Sequence, residues 1–503
     1  MAQGVLPYKY EEEKTTLGIT ALAGLPIYLD LASVLGLSDH IGTHMHIRSD
    51  QGWTDEQVIL SLILLNLAGG NHVDDIRILE CDEGFCRILQ RIELKGLTRQ
   101  RRRAQERRWR KEHHRSVPSP SAIFRYLEAF HSDEEEAKRE RGKAFIPAIH
   151  PHLADLIKVS KALIASIHPR APVKEATLDM DATIDGTTKK NALFSYKGCK
   201  AYQPLTTYWA ELGLILHTEF RDGNVPAGFE QLRVLKEALG MLPPGVEKVY
   251  LRSDTAGYQH DLLKYCELRK DEPFGRIEFA VGVDVTSAFK KAVHEVEEAD
   301  WKTLMKEVKG EMKPTNIQWA EVCFVPDAIG RSKNDPVYRY LATREPLKQD
   351  VLPGTEGQLP FPTLEKESVR YKIFGIVTNR DLEGNELINW LHKRCGKSEE
   401  AHAVMKEDLA GGYLPSSLFG ANAAWWWITA ISFNLNSAMK RLVLNESWAA
   451  KRMKALRFSL INLPGRIMEH ARETMIHIAQ SHPSLELLLR ARQTIMELAH
   501  GSG

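Results

Sequence analysis

Cysteine is scarce in this sequence. The 503 residues include six cysteines, and only Cys81 and Cys86 lie close together along the chain. No second pair follows at the spacing of a zinc site. The pattern argues against structural zinc and predicts six reduced thiols in a cytosolic protein.

Long apolar runs are also missing. The two most apolar stretches are Val58–Ala68 and Ala423–Leu435, and both are shorter than the roughly 18 apolar residues that a membrane span needs. The N-terminal segment MAQGVLPYKYEEEK has no apolar core of the signal-peptide kind. We therefore expect two buried helices and no membrane partner.

Net charge is almost absent, at +1, which by itself argues against a nucleic-acid partner. The charges are unevenly placed, however, because Lys95–Arg115 carries ten basic residues against two acidic ones, and Lys440–Arg466 carries seven against one. A phosphate backbone responds to such local clusters. The first run is a candidate DNA contact, with a solvated arm as the alternative. Its candidate contact residues are Arg101, Arg102, Arg103, Arg107, Arg108, Arg110 and Lys111.

The first third of the chain is predicted to be a helical module. A hydrophobic fraction of 43% and a charged fraction of 26% are ordinary for a soluble globular protein, and the length suggests two to four domains. In TDEQVILSLILLNLAGG, Thr54 is a helix N-cap, and Gly69 ends the helix. Residues 1–165 are therefore predicted to be a helical N-terminal DNA-binding region with a basic arm, without a strand between residues 15 and 92.

The pattern changes to alternating strands and helices near Pro172. Strand periodicity occurs in VKEATLDMDATIDGT, in VEKVYLRSD and in RIEFAVGVDV, with helical segments between them. This alternation predicts an α/β sheet over residues 170–437. Residues 286–370 are interpreted as a β-rich insertion, after which YKIFGIVTN returns to the main sheet. Residues 438–503 are predicted to be a helical C-terminal region.

Acidic residues at strand ends are the sharpest chemical signal. Asp179 and Asp181 are two residues apart and so share one face of a strand. A carboxylate inside an apolar strand is costly unless it is paired or binds a cation. Asp254 follows a second strand, at the end where α/β sheets place their ligands.

A third acid is expected on a helix. INWLHKRCGKSEEAHAVMKEDL is predicted to be one long helix, in which Glu399 and Lys406 are seven residues apart and share a face. Three carboxylates of this kind can hold two Mg²⁺ ions, or Mn²⁺ in their place, for an in-line phosphoryl displacement. Lys406 would then point to a phosphate.

Four segments of this sequence resemble the insertion-sequence DDE transposases, in particular the insertion-sequence 1380 family. They are TLDMDAT, EFRDGNVPAG, LRSDTAGY and KRCGKSEEAHAVMKEDLAGGYLPSSLFGANAAWWWITAISFNL. The resemblance covers roughly residues 176–437. It implies an RNase H-like catalytic domain that cleaves and joins double-stranded DNA at terminal inverted repeats and in target DNA. It also implies a homodimer in the bacterial cytoplasm, associated with DNA.

The resemblance implies Asp181, Asp254 and Glu399 as the catalytic acids and metal ligands. Arg394 lies five residues before Glu399, one more than the family spacing, and Cys395 holds the expected arginine position. Glu400 therefore stays an alternative to Glu399, and Asp179 stays an alternative to Asp181.

Two further features leave alternatives open. Arg221 and Asn224 either reach a phosphate or belong to a plain turn after a strand. Three adjacent tryptophans, Trp425 to Trp427, are expected not to face one core together, so one is a candidate for stacking on a DNA base, with core packing as the alternative. The rival functions are an RNase H-like nuclease without strand transfer and a domesticated DNA-binding protein without catalysis.

Overall fold

The computed structural model describes residues 18–47, 52–94, 98–104, 115–140, 142–326, 335–347, 359, 361–367, 369–470 and 473–500. The N-terminal third contains one short strand and a group of helices. The strand β1 spans Ile19–Thr20, where no strand was predicted. The helices are α1 Pro26–Val34, α2 Leu37–His44, α3 Asp55–Ala68, α4 Ile76–Cys81, α5 Glu83–Glu93, α6 Pro120–Glu128, α7 Asp133–Ala137 and α8 Pro151–Ile167.

Helix α3 shows why the helical prediction succeeds here. Thr54 accepts from the backbone N–H of Gln57, and the Gln57 side chain accepts from the N–H of Thr54, which together form a capping box. Gly69 ends the helix in the left-handed region at φ 103°. No helix in the described part of the chain is both long and apolar enough to cross a bilayer.

The central part of the chain forms a ten-stranded mixed sheet. Five of its strands are neighbours in the order β7-β6-β2-β8-β9, in which β2, β8 and β9 are parallel and β6 and β7 are antiparallel to their neighbours. Helix α9 follows β7, and helix α10 follows β8. The bounds are β2 Glu175–Ala182, β6 Leu205–Trp209, β7 Leu214–Glu219, α9 Gln231–Met241, β8 Lys248–Ser253, α10 His260–Leu268 and β9 Glu278–Val283.

A small three-stranded sheet projects between β2 and β6. It consists of β3 Asp185–Gly186, β4 Leu193–Phe194 and β5 Lys200–Tyr202, with β5 in the middle. Its first strand begins three residues after β2 ends, so this sheet stands beside the carboxyl end of β2.

The segment between β9 and residue 379 continues the main sheet. Strand β14 pairs with β9, and β12, β11 and β10 follow outward, while β13 pairs with β14. The predicted return of YKIFGIVTN to the main sheet is thus confirmed. The bounds are α11 Ser287–Glu295, β10 Lys302–Val308, β11 Glu311–Val322, β12 Arg339–Pro346, β13 Thr363–Lys366 and β14 Val369–Thr378.

The prediction of one long helix through INWLHKRCGKSEEAHAVMKEDL is wrong. Helix α12 spans Gly384–His392 and helix α13 spans Lys397–Ala403, and a wide helical turn over Val404–Asp408 extends α13. The break occurs because Gly396 adopts φ 85°, which a right-handed helix cannot contain. Glu399 consequently lies in the first turn of a new helix.

Helix α14, Phe419–Ala438, is buried on every side. It packs against α3, α8 and β7, and a helix surrounded in this way is apolar all round. All three tryptophans are buried, so the core-packing alternative is confirmed and the expectation that they cannot share one core is wrong. Trp425 Nε1 donates to Ala410 O (2.8 Å), and Trp426 Nε1 donates to Thr218 Oγ1 (2.8 Å).

The prediction of a helical C-terminal region over residues 438–503 is wrong in part, because this region also contains two strands. Helix α15, Met453–Leu456, is followed by the hairpin of β15 Gly465–His470 and β16 Glu473–His477, and then by α16 Leu485–His500. Strand β15 pairs with β1 from the other end of the sequence. The hairpin thus completes a small sheet whose third strand lies more than 400 residues away, which local periodicity does not report.

Candidate active site

Two of the predicted acids meet at one edge of the main sheet. In the parallel pair of β2 and β8, Met180 is opposite Ser253. The next residues along the chain, Asp181 and Asp254, therefore lie side by side at the carboxyl ends of neighbouring strands. Asp254 also caps the short turn that follows β8, since its Oδ1 accepts from the N–H of Ala256 (3.0 Å). This is the edge at which α/β sheets bind ligands.

Helix α13 and the turn before it face Asp181. Arg394 Nη1 lies 3.5 Å from Asp181 Oδ1, and His402 Nδ1 lies 3.7 Å from Asp181 Oδ2. Neither distance is a hydrogen bond. Asp181 is therefore a largely buried carboxylate that lies near two basic side chains without a close hydrogen bond to either.

The charged forms of Asp181 and Asp254 disfavour each other at this site. Burial raises the pKa of Asp254, Arg394 lowers it, and the charge of Asp181 raises it again. Burial also raises the pKa of Asp181, which Arg394 lowers and Glu399 raises. Asp181 thus interacts with both other acids, and Arg394 is the cation that offsets their charge.

Glu399 and Glu400 point to different surroundings. The Glu399 carboxylate accepts from the N–H of Gly396 at the start of its own helix, and its charge acts on Asp181. Glu400 instead lines a separate cavity of about 810 Å³ together with Lys397 and Lys440. The placement favours Glu399 as the partner of Asp181.

Asp179 has a different partner from Asp181. It is fully buried and receives two hydrogen bonds from Arg252 on β8, Nε to Oδ1 at 2.6 Å and Nη2 to Oδ2 at 2.8 Å. Arg252 Nη1 also donates to Trp390 O (2.7 Å). Both oxygens of Asp179 are thus engaged in tying β2 to β8 and to helix α12.

An open groove of about 830 Å³ runs past Asp254, and Asn224 and Lys406 line it. Lys406 Nζ donates to Ile184 O (3.2 Å), and Asn224 Nδ2 donates to Lys143 O (2.8 Å). Arg221 does not reach the groove. It is buried, and it donates to Glu219 Oε1 (2.6 Å) at the end of β7 and to Phe229 O (2.9 Å) in the following loop.

The basic run is only partly described. Arg101, Arg102 and Arg103 lie in a short helical segment over residues 99–104, where Arg102 Nη2 donates to Leu94 O (3.4 Å). Arg101 and Arg103 are exposed. The remaining predicted contacts, Arg107, Arg108, Arg110 and Lys111, lie outside the described residues.

The donor set suits a hard divalent cation, although the side chains are not gathered around one point. Carboxylate oxygens from three elements are what Mg²⁺ prefers, and the burial of Asp181 and Asp254 makes a nearby positive charge favourable. Among the residues that the structure describes, no three His, Cys, Asp or Glu side chains are close enough to ligate one metal ion. Glu399 would have to leave its helix cap to join the two aspartates.

Two side chains near the site were missed by sequence reasoning. His402 is buried, and burial lowers its pKa to about 4, so that it is neutral at pH 7. Its position three residues after Glu399, on the same helix face, was the available signal. Asp284 follows the third parallel strand and lines the groove with Asp254. Its signal was an aspartate directly after RIEFAVGV.

Comparison with known proteins identifies the family. A search of curated proteins gives no match. One solved structure with similarity is the piggyBac transposase synaptic complex with hairpin DNA, at 10% identity and a TM-score of 0.39, covering 88% of this chain and 79% of that one. The family model for the transposase DDE domain, group 1, matches residues 14–325 and 363–500. The chain therefore belongs to the DDE transposase family.

Proposed function

We propose that this DDE transposase cleaves and joins double-stranded DNA at insertion-sequence ends, with Asp181, Asp254 and Glu399 as the catalytic acids and ligands of Mg²⁺, for which Mn²⁺ can substitute. The observation that carries the proposal is the position of Asp181 and Asp254 at adjacent parallel strand ends, with Glu399 acting on Asp181 from helix α13. The insertion-sequence 1380 family is the proposed subgroup, on the motifs quoted above.

The topology supports an RNase H-like assignment for the catalytic domain. Numbered along the chain, the five strands β2, β6, β7, β8 and β9 lie in the order 3-2-1-4-5, with the second strand antiparallel to the first. This fold places its first acid on strand 1 and its second after strand 4, which are the positions of Asp181 and Asp254. Strands β10 to β13 then correspond to the β-rich insertion before the final acid, and β14 is the strand that returns to the main sheet.

The side chains suggest a division of work. A pair of divalent ions, when bound, would stabilise the attacking and leaving oxygens of an in-line phosphoryl displacement. Lys406 is held by a backbone carbonyl at the groove wall, where its ammonium is suited to a phosphate. Arg394 lies 3.5 Å from Asp181 and lowers the pKa of both aspartates, and its guanidinium is suited to a DNA phosphate at the same place.

Water would attack at the element end in the first step, and the freed 3′-hydroxyl would attack a second phosphodiester. The helical N-terminal region and its basic arm are proposed to bind the terminal repeats, and a homodimer is proposed to hold the paired ends. A nuclease without strand transfer would use the same acids, so joined products distinguish the two activities.

The test is metal-dependent cleavage of a duplex that carries the element's own ends, with Asp254→Asn as the inactive variant. Glu399→Gln and Glu400→Gln form a matched pair, because the residues are adjacent and differ in their surroundings. We expect nicking at the end boundary in Mg²⁺, with loss of activity in Asp254→Asn and Glu399→Gln and near-normal activity in Glu400→Gln.

Different results would change the assignment. Loss of activity in Glu400→Gln but not in Glu399→Gln would move the third acid by one residue. Binding without cleavage by the wild-type chain would favour a DNA-binding protein without catalysis.

A further inference from the structure

The segment that projects after β2 is unusually basic. Residues 186–210 contain four lysines, Lys189, Lys190, Lys197 and Lys200, and no aspartate or glutamate. The salt bridges of the described residues include none of these lysines. Lysines whose charge is not neutralised by nearby acidic residues attract a phosphate backbone.

A tight turn at the tip of this segment presents two side chains outward. Gly198 N–H donates to Ser195 O (2.9 Å), and Gly198 has φ 75°, which favours glycine. Ser195 N–H also donates to Cys199 O (2.8 Å). Tyr196 and Lys197 occupy the two corner positions of the turn, and Tyr196 is 78% exposed.

The base of the segment is firmly held. Gly223 packs so closely beneath it that a Cβ there would lie 2.4 Å from Ala201 O. Tyr202 packs against Phe220 at a ring-centroid distance of 4.7 Å and is itself buried. The exposed turn thus extends from a tightly packed base, which limits the positions that the Tyr196 ring can take.

The tip belongs to the wall of the active-site groove. Tyr196 and Lys197 line the same groove as Asp254 and Lys406. No part of the described chain covers the Tyr196 ring, which is 78% exposed. An exposed aromatic ring on the wall of a groove that also holds Lys197 and Lys406 is a stacking surface for an unpaired base.

We infer that the Ser195–Gly198 turn is a DNA contact of the active site, in which Tyr196 stacks on a base of the strand being processed and Lys197 pairs with a neighbouring phosphate. The partner is a DNA end whose bases are unpaired next to the scissile phosphodiester, because an intact duplex would keep both faces of the base covered. This inference rests on the proposed function.

The test measures binding and cleavage of the full-length protein with a fluorescent duplex that carries the element's own end. Tyr196→Ala is expected to weaken binding about tenfold, and Tyr196→Trp to restore it. Lys197→Gln is expected to reduce the slope of log Kd against log salt by about 1. Phe458→Ala and Lys291→Gln are the matched controls, since both residues are exposed and neither lines the groove.

A second readout locates the contact directly. With 5-iododeoxyuridine placed at successive positions across the end boundary, we expect photo-crosslinking to Tyr196 at one or two positions only. Cleavage by the wild type combined with unchanged binding in Tyr196→Ala, or crosslinks only elsewhere, would overturn the inference and leave the proposed function intact. A wild-type protein that neither binds nor cleaves the duplex would instead reject both.

Discussion

Two aspartates that share a strand face have different surroundings. Asp179 is fully buried and paired with Arg252, whereas Asp181 is partly exposed and lies 3.5 Å or more from its basic neighbours. The sequence indicated an unusual pair of strand-borne acids and left open which was the ligand. The choice depends on Arg252, 73 residues away from Asp179, and no local pattern contains that information.

This difference predicts opposite effects on stability. Asp179→Asn leaves Arg252 as an unpaired buried charge, so we expect the free energy of unfolding to fall by about 3–5 kcal/mol. Asp181→Asn removes a charge whose burial already raises its pKa, so stability should stay equal or rise. Urea unfolding of both variants at pH 7 measures this. Equal losses in the two would contradict the distinction.

Asp185 predicts a pH dependence of stability. Its side chain is buried, its Oδ2 accepts no hydrogen bond among the described residues, and burial raises its pKa to about 7, against a smaller effect of Lys406. Because the folded pKa exceeds the unfolded one, its contribution is complete below about pH 4 and is lost as the pH rises through 7.

The variant Asp185→Asn carries the uncharged form at every pH. We expect its unfolding free energy to exceed that of the wild type by an amount that grows between pH 5 and pH 8, to at most about 4 kcal/mol. Urea denaturation at four pH values over this range measures the difference between the two proteins. A difference that is constant with pH would show that the Asp185 carboxyl does not titrate there.

At the scale of elements, the break before α13 decides where Glu399, the proposed third acid, lies. A helical pattern with one glycine in it is normally continued, and the sequence therefore predicted one long helix. The left-handed Gly396 ends that continuity and makes Glu399 a first-turn residue. The prediction for the tryptophans of helix α14 failed for another reason. A helix enclosed on all sides can bury three adjacent tryptophans, whereas an amphipathic helix could not.

Gly396 offers a test of this geometry. A Cβ at Gly396 meets nothing within 4 Å, so Gly396→Ala is strained only by its φ of 85°. Gly275→Ala is the matched control, with φ 61° and only an ordinary contact nearby. We expect each variant to lose about 1–2 kcal/mol of stability.

The two variants should differ in activity. Only Gly396→Ala should slow DNA cleavage, by up to about a hundredfold, because it shifts the turn that positions Arg394 and Glu399. Measurement of cleavage rates beside thermal unfolding separates the two effects. Equal activity in both variants would mean that the turn does not position the acid.

At the scale of the whole molecule, several strands and the strand-end positions of Asp181 and Asp254 could be predicted, but the assembly could not. Periodicity identified β2, β8, β9 and β14 because each alternates or runs apolar over several residues. The extension of the sheet from β14 through β12 to β10 depends on long-range pairing. The pairing of β1 with β15 joins two-residue and six-residue strands from opposite ends of the chain, for which local propensity carries almost no signal.

A metal that binds only the folded chain must stabilise the whole molecule. Asp181 and Asp254 are largely buried carboxylates, and Arg394 is the cation beside them. Binding of a divalent cation at a hundred times its Kd would add about 2.7 kcal/mol to the unfolding free energy. For a protein of this length we expect the midpoint of thermal unfolding to rise by a few degrees.

The thermal shift should depend on the proposed ligands and not on ionic strength. Mg²⁺ and Mn²⁺ titrations of the wild type are compared with Asp254→Asn and with Glu400→Gln, while NaCl keeps the ionic strength constant. We expect the rise to disappear in Asp254→Asn and to persist in Glu400→Gln, because only Asp254 lies beside Asp181. A rise of equal size in Asp254→Asn would place the stabilising cation elsewhere on the chain. No rise in the wild type without DNA, together with Mg²⁺-dependent cleavage, would mean that Glu399 leaves its helix cap only when the DNA phosphate completes the site.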